Sequence, residues 1–348
     1  MFVSDNTSSV CPEVMQAIDA VNVGDAAGYG GDQATLELGK AFSAYFATQV
    51  AAIPVGTGTA ANAIALSLAA PRFAGIYCHQ NAHIETTECG GVESWGGGTK
   101  LMPLPGAQGR LGADVIRSAL ERLPRGRPQS APPKVISITQ GTEAGTVYSL
   151  SQIGEISALA HERGMKVHMD GARFSNALVT LGCSAADMTW RAGIDVLSYG
   201  AIKNGGMCAD AVVVFDQELT DQAAFVQRRN GQMYSKMRYL SVQLLALLRD
   251  GVAERNARHA NKMAERLSRG LSQIPGARLL HPVEINEIFV SLPPAARDRL
   301  ALAGHAPQLR AVLDDPHYRF VTAWNTAGDA VDRFVATAIG SKVIPAHA

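Results

Sequence analysis

The chain has 348 residues, 47% hydrophobic and 18% charged, with Lys plus Arg and Asp plus Glu both at 31. That length holds a large α/β domain and a smaller one, and a folded chain of this size buries roughly 75% of its extended surface without cross-links. The balanced charge argues against nucleic-acid or membrane partners, and a charged fraction below the roughly 25% usual for soluble domains suits a surface partly buried in an oligomer.

In chain order, CPEVMQAIDAV predicts a helix with Pro12 in its first turn. After Tyr29-Gly30-Gly31-Asp32, apolar residues from Leu36 to Phe46 recur at helical spacing. VAAIPV reads as a buried strand, GTGTAANAIALSLA as a tight turn opening a helix, and FAGIYC as a second strand. The Gly-rich stretch 90–98 predicts a loop, residues 113–123 a helix, and RLPRGRPQSAPPK an exposed connection. VISIT is strand-like, and the next helix buries Ile153, Ile156, Leu159 and Ala160 on one face before Gly164 ends it. KVHM, then Asp195 to Tyr199, then AVVVF give three further strands. Residues 217–272 are mostly helical, and RLLHPVEINEIFVSL, YRFVTAW and DAVDRFVATAI give strand, strand and helix. Strands alternating with helices predict an α/β fold with a mostly parallel sheet, as a large domain over 1–250 and a small C-terminal α+β domain over 251–348.

The five cysteines (Cys11, Cys78, Cys89, Cys183 and Cys208) form no C-x-x-C pair and are odd in number. They are expected as reduced, mostly buried thiols. MFVSDNTSS has neither a basic n-region nor an apolar core, and no apolar run spans a membrane. A cytoplasmic protein is expected.

Ligands of open α/β sheets bind outside the carboxyl ends of the strands. KVHM ends at Asp170-Gly171-Ala172-Arg173, and the strand ending at Tyr199 runs into Lys203 and Gly205-Gly206. Lys203 suits a Schiff base on a loop that a cofactor can approach; an exposed loop lysine is the plainer reading. Asp170 could hold the nitrogen of a pyridine ring protonated, or merely cap a helix. Arg173 could grip a carboxylate through its fork, or sit on the surface. The turn Gly56 to Asn62 follows a strand and opens a helix, which suits a phosphate. Its G-x-G-x-x-A spacing also matches a dinucleotide fingerprint, but no acid follows near Cys78 to Ala82, so a monophosphate cup reads better. His83 could stack on a flat ring, act as a base, or cap a helix, with Glu88 placed to orient it. Arg319, between apolar neighbours in a strand, needs a partner or faces solvent.

The ordered set resembles the fold-type I pyridoxal-phosphate enzymes, the aspartate aminotransferase-like fold. Within them it is similar to the L-threonine aldolase branch of the β-eliminating lyase family. The resemblance runs through Ser4-Asp5, Tyr29-Gly30-Gly31-Asp32, Gly58-Thr59 with Asn62, and His83-Ile84-Glu85 with Glu88. It continues through His168-Met169-Asp170-Gly171-Ala172-Arg173, Lys203, and Arg319-Phe320-Val321-Thr322. It implies Lys203 as the lysine bonded to pyridoxal 5'-phosphate, Asp170 at the ring nitrogen, His83 over the ring, and Gly58 and Thr59 at the phosphate. It further implies Ser4, Arg173 and Arg319 at the substrate carboxylate, and a homotetramer in which Tyr29 and Arg238 reach a neighbouring copy's site. The implied reaction is retro-aldol cleavage of L-threonine, L-allo-threonine or related β-hydroxy-α-amino acids to glycine and an aldehyde. β-Elimination or racemisation on the same scaffold is the alternative. In two places the chain departs from the family pattern. Thr139 to Gly145 lacks the second histidine often found there, and Tyr199-Gly200-Ala201-Ile202 replaces the commoner lead-in to the lysine.

Overall fold

The computed structural model describes residues 2–123, 128–305, 309–310 and 317–340. The larger sheet has seven strands: β1 (Ala51–Val55), β2 (Gly75–His79), β3 (Lys100–Leu104), β4 (Pro133–Thr139), β5 (Lys166–Gly171), β6 (Val196–Tyr199) and β7 (Asp210–Val214). Their order is β1-β7-β6-β5-β4-β2-β3. The pairs are parallel except around β7, which is antiparallel to both β1 and β6. The expected mostly parallel α/β sheet is therefore present.

β2, β6 and β7 are buried along their whole length, because helices cover both faces of the sheet. On one face, Phe42, Phe46 and Phe174 pack with Val167, Met169, Leu197 and Tyr199, and Phe42 meets Tyr199 edge-on at 5.2 Å. On the other, the helix Gly58–Ala69 lays Ile64 and Leu66 against Val135, Val196 and Val212. Side chains alternate along a strand. Ser137, His168, Asp170 and Ser198 therefore share the face beneath that helix, while Val167 and Met169 point away.

The second sheet, β8 (Arg278–Leu279), β9 (Glu287–Ser291), β10 (Leu309–Arg310) and β11 (His317–Val321), is antiparallel in the order β10-β11-β9-β8. Its core joins Ile288, Val290 and Phe320 to Leu267 and Leu271 of the helix Val252–Leu271 and to Phe334 of the helix Gly328–Ile339. Phe2 belongs to this core, 5.1 Å from the Phe334 ring, and its carbonyl accepts from Val321 N–H at 2.9 Å. The N-terminal arm thus crosses to the C-terminal sheet.

Three expectations need correction. The Gly-rich stretch 90–98 contains a short helix, Gly91–Trp95, whose Val92 is buried. β3 was not expected from its sequence; it is an edge strand, a position that tolerates Lys100 and Pro103. The cysteines are all free, but only Cys11 and Cys78 are buried, while Cys89 and Cys208 are exposed. Within the expected connection 122–134, residues 124–127 lie outside the described residues. Among the described residues, no helix is long and apolar enough to cross a membrane.

Candidate active site

The carboxyl ends of β4, β5 and β6, the start of β7 and the N-terminus of the helix Gly58–Ala69 enclose a cavity of about 270 Å³. Gly58, Thr59, Asn62, His83, Asp170, Arg173 and Lys203 all line it, as do Glu88, Glu143 and Asp210. The sequence-expected residues at the heart of the site are therefore brought together.

Asp170, 3% exposed, forms the floor. Its Oδ1 accepts from Ala172 N–H at 2.9 Å and its Oδ2 from Asn62 Nδ2 at 2.9 Å. Asn62 also donates to Glu88 Oε1 at 2.8 Å, and the same oxygen meets His83 Nδ1 at 2.7 Å. A carboxylate on Nδ1 assigns that nitrogen a proton. The Glu88 hydrogen bond, against burial and with the Asp170 charge, holds His83 above the usual imidazole range.

Two residues back on β5, His168 lies on the same face as Asp170. Its Nδ1 meets Ser137 Oγ at 2.9 Å and its Nε2 meets Ser198 Oγ at 3.0 Å. Burial pushes its pKa down to about 4, so the imidazole under the floor is neutral at ordinary pH.

Lys203 sits on the 3₁₀ turn Ile202–Asn204 just after β6. Asp210 Oδ1 pins this turn by accepting from Ala201 N–H at 2.7 Å and Ile202 N–H at 3.0 Å. Gly200 is required by close approach, since a Cβ there would lie 2.5 Å from the Ala172 carbonyl oxygen. Across the cavity, Thr57 Oγ1 caps Ala60 N–H at 3.1 Å. The first N–H groups of this helix, at Gly58 and Thr59, have no intrahelical partner by geometry and offer themselves to an anion.

Arg173 is present but not idle. Its Nε and Nη2 donate to the two oxygens of Asp5 at 2.8 and 3.0 Å, and its Nη1 lies 2.9 Å from Glu287 Oε2. Burial alone would raise the Asp5 carboxyl, but Arg173 and then Lys203 outweigh it and hold Asp5 low. Two of its N–H groups, on Nε and Nη2, thus make hydrogen bonds to Asp5, while the Nη1 contact with Glu287 is an ion pair.

Ser4, Tyr29, Arg238 and Arg319 do not line the cavity. The Ser4 hydroxyl accepts from Asn6 N–H at 3.2 Å, capping the turn Asp5–Thr7. Arg319 stands one layer out, 3.5 Å from Glu287 Oε1 and 3.4 Å from the Val3 carbonyl. Tyr29 is 55% exposed with the Arg228 guanidinium 4.7 Å over its ring, and Arg238 reaches the Gly24 carbonyl at 3.4 Å. Sequence reasoning gave no role to Asp210, Glu287 or Glu143. An aspartate opening the apolar run of β7 was a usable signal for the first.

Residues 2–293 match the family described as beta-eliminating lyase. The chain belongs to the β-eliminating lyase family. It is 39% identical to the low specificity L-threonine aldolase of a Pseudomonas species over 326 residues, 93% of each chain. It is 37% identical to the enzyme of that name from Pseudomonas aeruginosa over the same coverage. Among solved structures, a Leishmania major threonine aldolase superposes with a TM-score of 0.89 at 28% identity, covering 97% of this chain and 98% of that one. The β-eliminating lyase match contains every cavity residue named above, and Arg319 lies beyond its end.

Proposed function

We propose that this chain is a pyridoxal-phosphate-dependent aldolase. It cleaves L-threonine, L-allo-threonine or related β-hydroxy-α-amino acids such as L-phenylserine to glycine and an aldehyde. The observation that carries this reading is the convergence of Lys203, Asp170 and the helix N-terminus at Gly58 and Thr59 on one cavity.

The residues fit the cofactor. A primary amine, a buried carboxylate and a set of outward N–H groups match an aldehyde, a ring nitrogen and a phosphate. Asn62 Oδ1 and Glu88 Oε2, both buried, lack a hydrogen-bond partner among the described residues. Bound there, pyridoxal phosphate supplies an electron sink for the charge left on the substrate Cα. Lys203 would hold its aldehyde carbon, Asp170 would keep the ring nitrogen protonated, and His83 would cover the ring. The N–H groups of Arg173 not bonded to Asp5 would orient the substrate carboxylate, with Ser4 and Arg319 supporting through the N-terminal arm and Glu287. We further place the chain in the cytoplasm, as its free thiols suit, and in a homotetramer whose Tyr29 and Arg238 reach a neighbouring copy's site.

The test is to mix the purified protein with pyridoxal phosphate and L-threo-phenylserine and follow benzaldehyde and glycine together. Equal release of both is expected. A keto acid with ammonia, and no benzaldehyde, would replace the aldolase with a β-elimination on the same fold.

A further inference from the structure

Cleavage requires a group to take the proton from the substrate's β-hydroxyl. The segment after β4 has no histidine, and His83 is poorly suited, because Glu88 on Nδ1 favours its charged form. The other titratable side chains of the cavity have other tasks. Asp170 is tied to Asn62 and Ala172, Asp210 holds the lysine turn, Arg173 is ion-paired, Lys203 is given to the cofactor in the reading above, and burial keeps the Tyr199 phenol protonated. Glu88 also has an Oε2 without a partner among the described residues, but its Oε1 is committed to Asn62 and to the ion pair that orients His83.

Glu143 remains. Its Oε1 accepts from Thr139 Oγ1 at 2.8 Å and from His83 N–H at 2.9 Å. Its Oε2 is buried and has no hydrogen-bond partner among the described residues. One oxygen is thus anchored by two donors and the other left open to a proton. The loop that carries it is held firmly. Gln140 Oε1 accepts from Tyr148 N–H at 2.8 Å, and Gln140 Nε2 donates to Tyr148 C=O at 2.9 Å. The hydroxyls of Thr142 and Thr146 both reach the Gln108 carbonyl, at 3.2 and 2.7 Å. Anchoring on the backbone of His83 fixes the carboxyl beside the residue that covers the reacting centre in the reading above, on which this inference rests.

We propose that Glu143 is the catalytic residue that takes the β-hydroxyl proton during cleavage and returns it to the aldehyde oxygen in the reverse direction. The O–H bond breaks as its proton moves to Glu143. The O–H electron pair becomes the second C–O bond of the aldehyde, and the Cα–Cβ pair stays on Cα. One proton then arrives at Cα to complete glycine, and Glu143 releases its own to solvent, so protons balance.

The local fields agree with that task. Burial first, and then the Asp170 charge, push Glu143 up to about 7, against the donors from Thr139 and His83. The charged and titratable groups that feel Glu143 from neighbouring elements are Asp170 on β5, Arg173 after it, Cys78 on β2, Tyr148 and His83. A group poised near neutrality can both accept and donate.

Glu143→Gln keeps the shape and the Oε1 acceptor. With L-threo-phenylserine its kcat should fall about a hundredfold or more, the usual worth of a general base, with KM within about threefold. The rise of the parent's rate from acid toward neutral pH should vanish in the variant. Visible absorption of the lysine-bound cofactor and exchange of the glycine α-proton with deuterated solvent should persist. Glu143→Asp, which keeps a carboxyl, should retain the rise at a lower rate. Without cofactor, the raised pKa predicts parent stability that is full below about 4.5 and lost as pH climbs through about 7. The thermal midpoint of the parent should therefore drop relative to Glu143→Gln across that window. Cleavage by Glu143→Gln within about threefold of the parent, a parent profile flat from acid to neutral pH, or parallel midpoint curves would each overturn the role. If the parent binds cofactor yet yields no glycine and aldehyde, the aldolase reading falls and this role with it. If the parent cleaves and Glu143→Gln cleaves equally, only the role of Glu143 falls.

Discussion

The loop carrying Lys203 and the loop carrying Glu143 leave the same edge of the sheet and are stiffened by the same device. In each, one buried side chain bonds the loop backbone twice: Asp210 at Ala201 and Ile202, Gln140 at Tyr148. The difference lies in charge. Burial pushes Asp210 up, but the two N–H groups it accepts and the Lys203 charge pull it back. Gln140 is neutral and offers Glu143 no countercharge, while the charge of Asp170 works against ionisation. One brace therefore sits opposite a matched charge, and the other holds a carboxyl near the point where it changes state. Rigidity and proton affinity are set separately in the same cavity wall.

The comparison can be broken most severely at the lysine. Lys203→Ala should abolish turnover and the visible absorption of lysine-bound cofactor, and a retained spectrum would mean another lysine holds it. Next come the braces. Asp210→Leu and Gln140→Leu each leave two backbone groups without their partner, so each should lose about 2–6 kcal/mol of stability at roughly 1–3 kcal/mol per group. Urea midpoints measure this, and an unchanged midpoint for either would deny that its loop is held as described. The neutral row below the floor gives a third measure. Unfolded His168 takes a proton below its ordinary 6.5, whereas the folded imidazole refuses it until about 4. Stability present above that window is lost as pH falls through it, by about 3 kcal/mol at 1.36 kcal/mol per pKa unit. Urea unfolding of the parent and His168→Asn at several acid pH values should show the slope only in the parent. Thr139→Val is the mildest change. It removes one donor to ionised Glu143, so the acid-side rise in rate should move to higher pH by less than about one unit; a shift to lower pH would contradict the hydrogen bond's role.

Much of this was legible in the residues. β1, β2, β4 and β7 announce themselves as short apolar, β-branched runs between turn signals. Lys203, Asp170, His83 and the Gly58-Thr59 turn were each found because they follow such a run. β3 escaped because an edge strand can carry Lys100 and Pro103 and so shows no pattern. The helix Gly91–Trp95 escaped because glycines flank it on both sides. What sequence could not give is pairing across distance. That Arg173 is already bonded to Asp5 and Glu287, or that Glu143 is anchored to the backbone of His83, depends on contacts between segments far apart in the chain. The expected grip of Arg173 on a substrate carboxylate must therefore share the guanidinium with Asp5 and Glu287, which the residue order alone does not reveal.

β7 runs against its neighbours, so its first residue, not its last, arrives at the cavity edge. Asp210 is that residue, and the chain from Tyr199 to Asp210 leaves and re-enters the sheet at one rim. For protein engineering this divides the connections into two kinds. A residue inserted between β6 and β7 has no helix to absorb it and must displace the lysine turn. At the opposite rim, the turn at Gly164 before β5 has open space around it and no role at the cavity. Tags, reporters or permuted termini belong at Gly164, and the ten residues between Tyr199 and Asp210 should be kept at their present length.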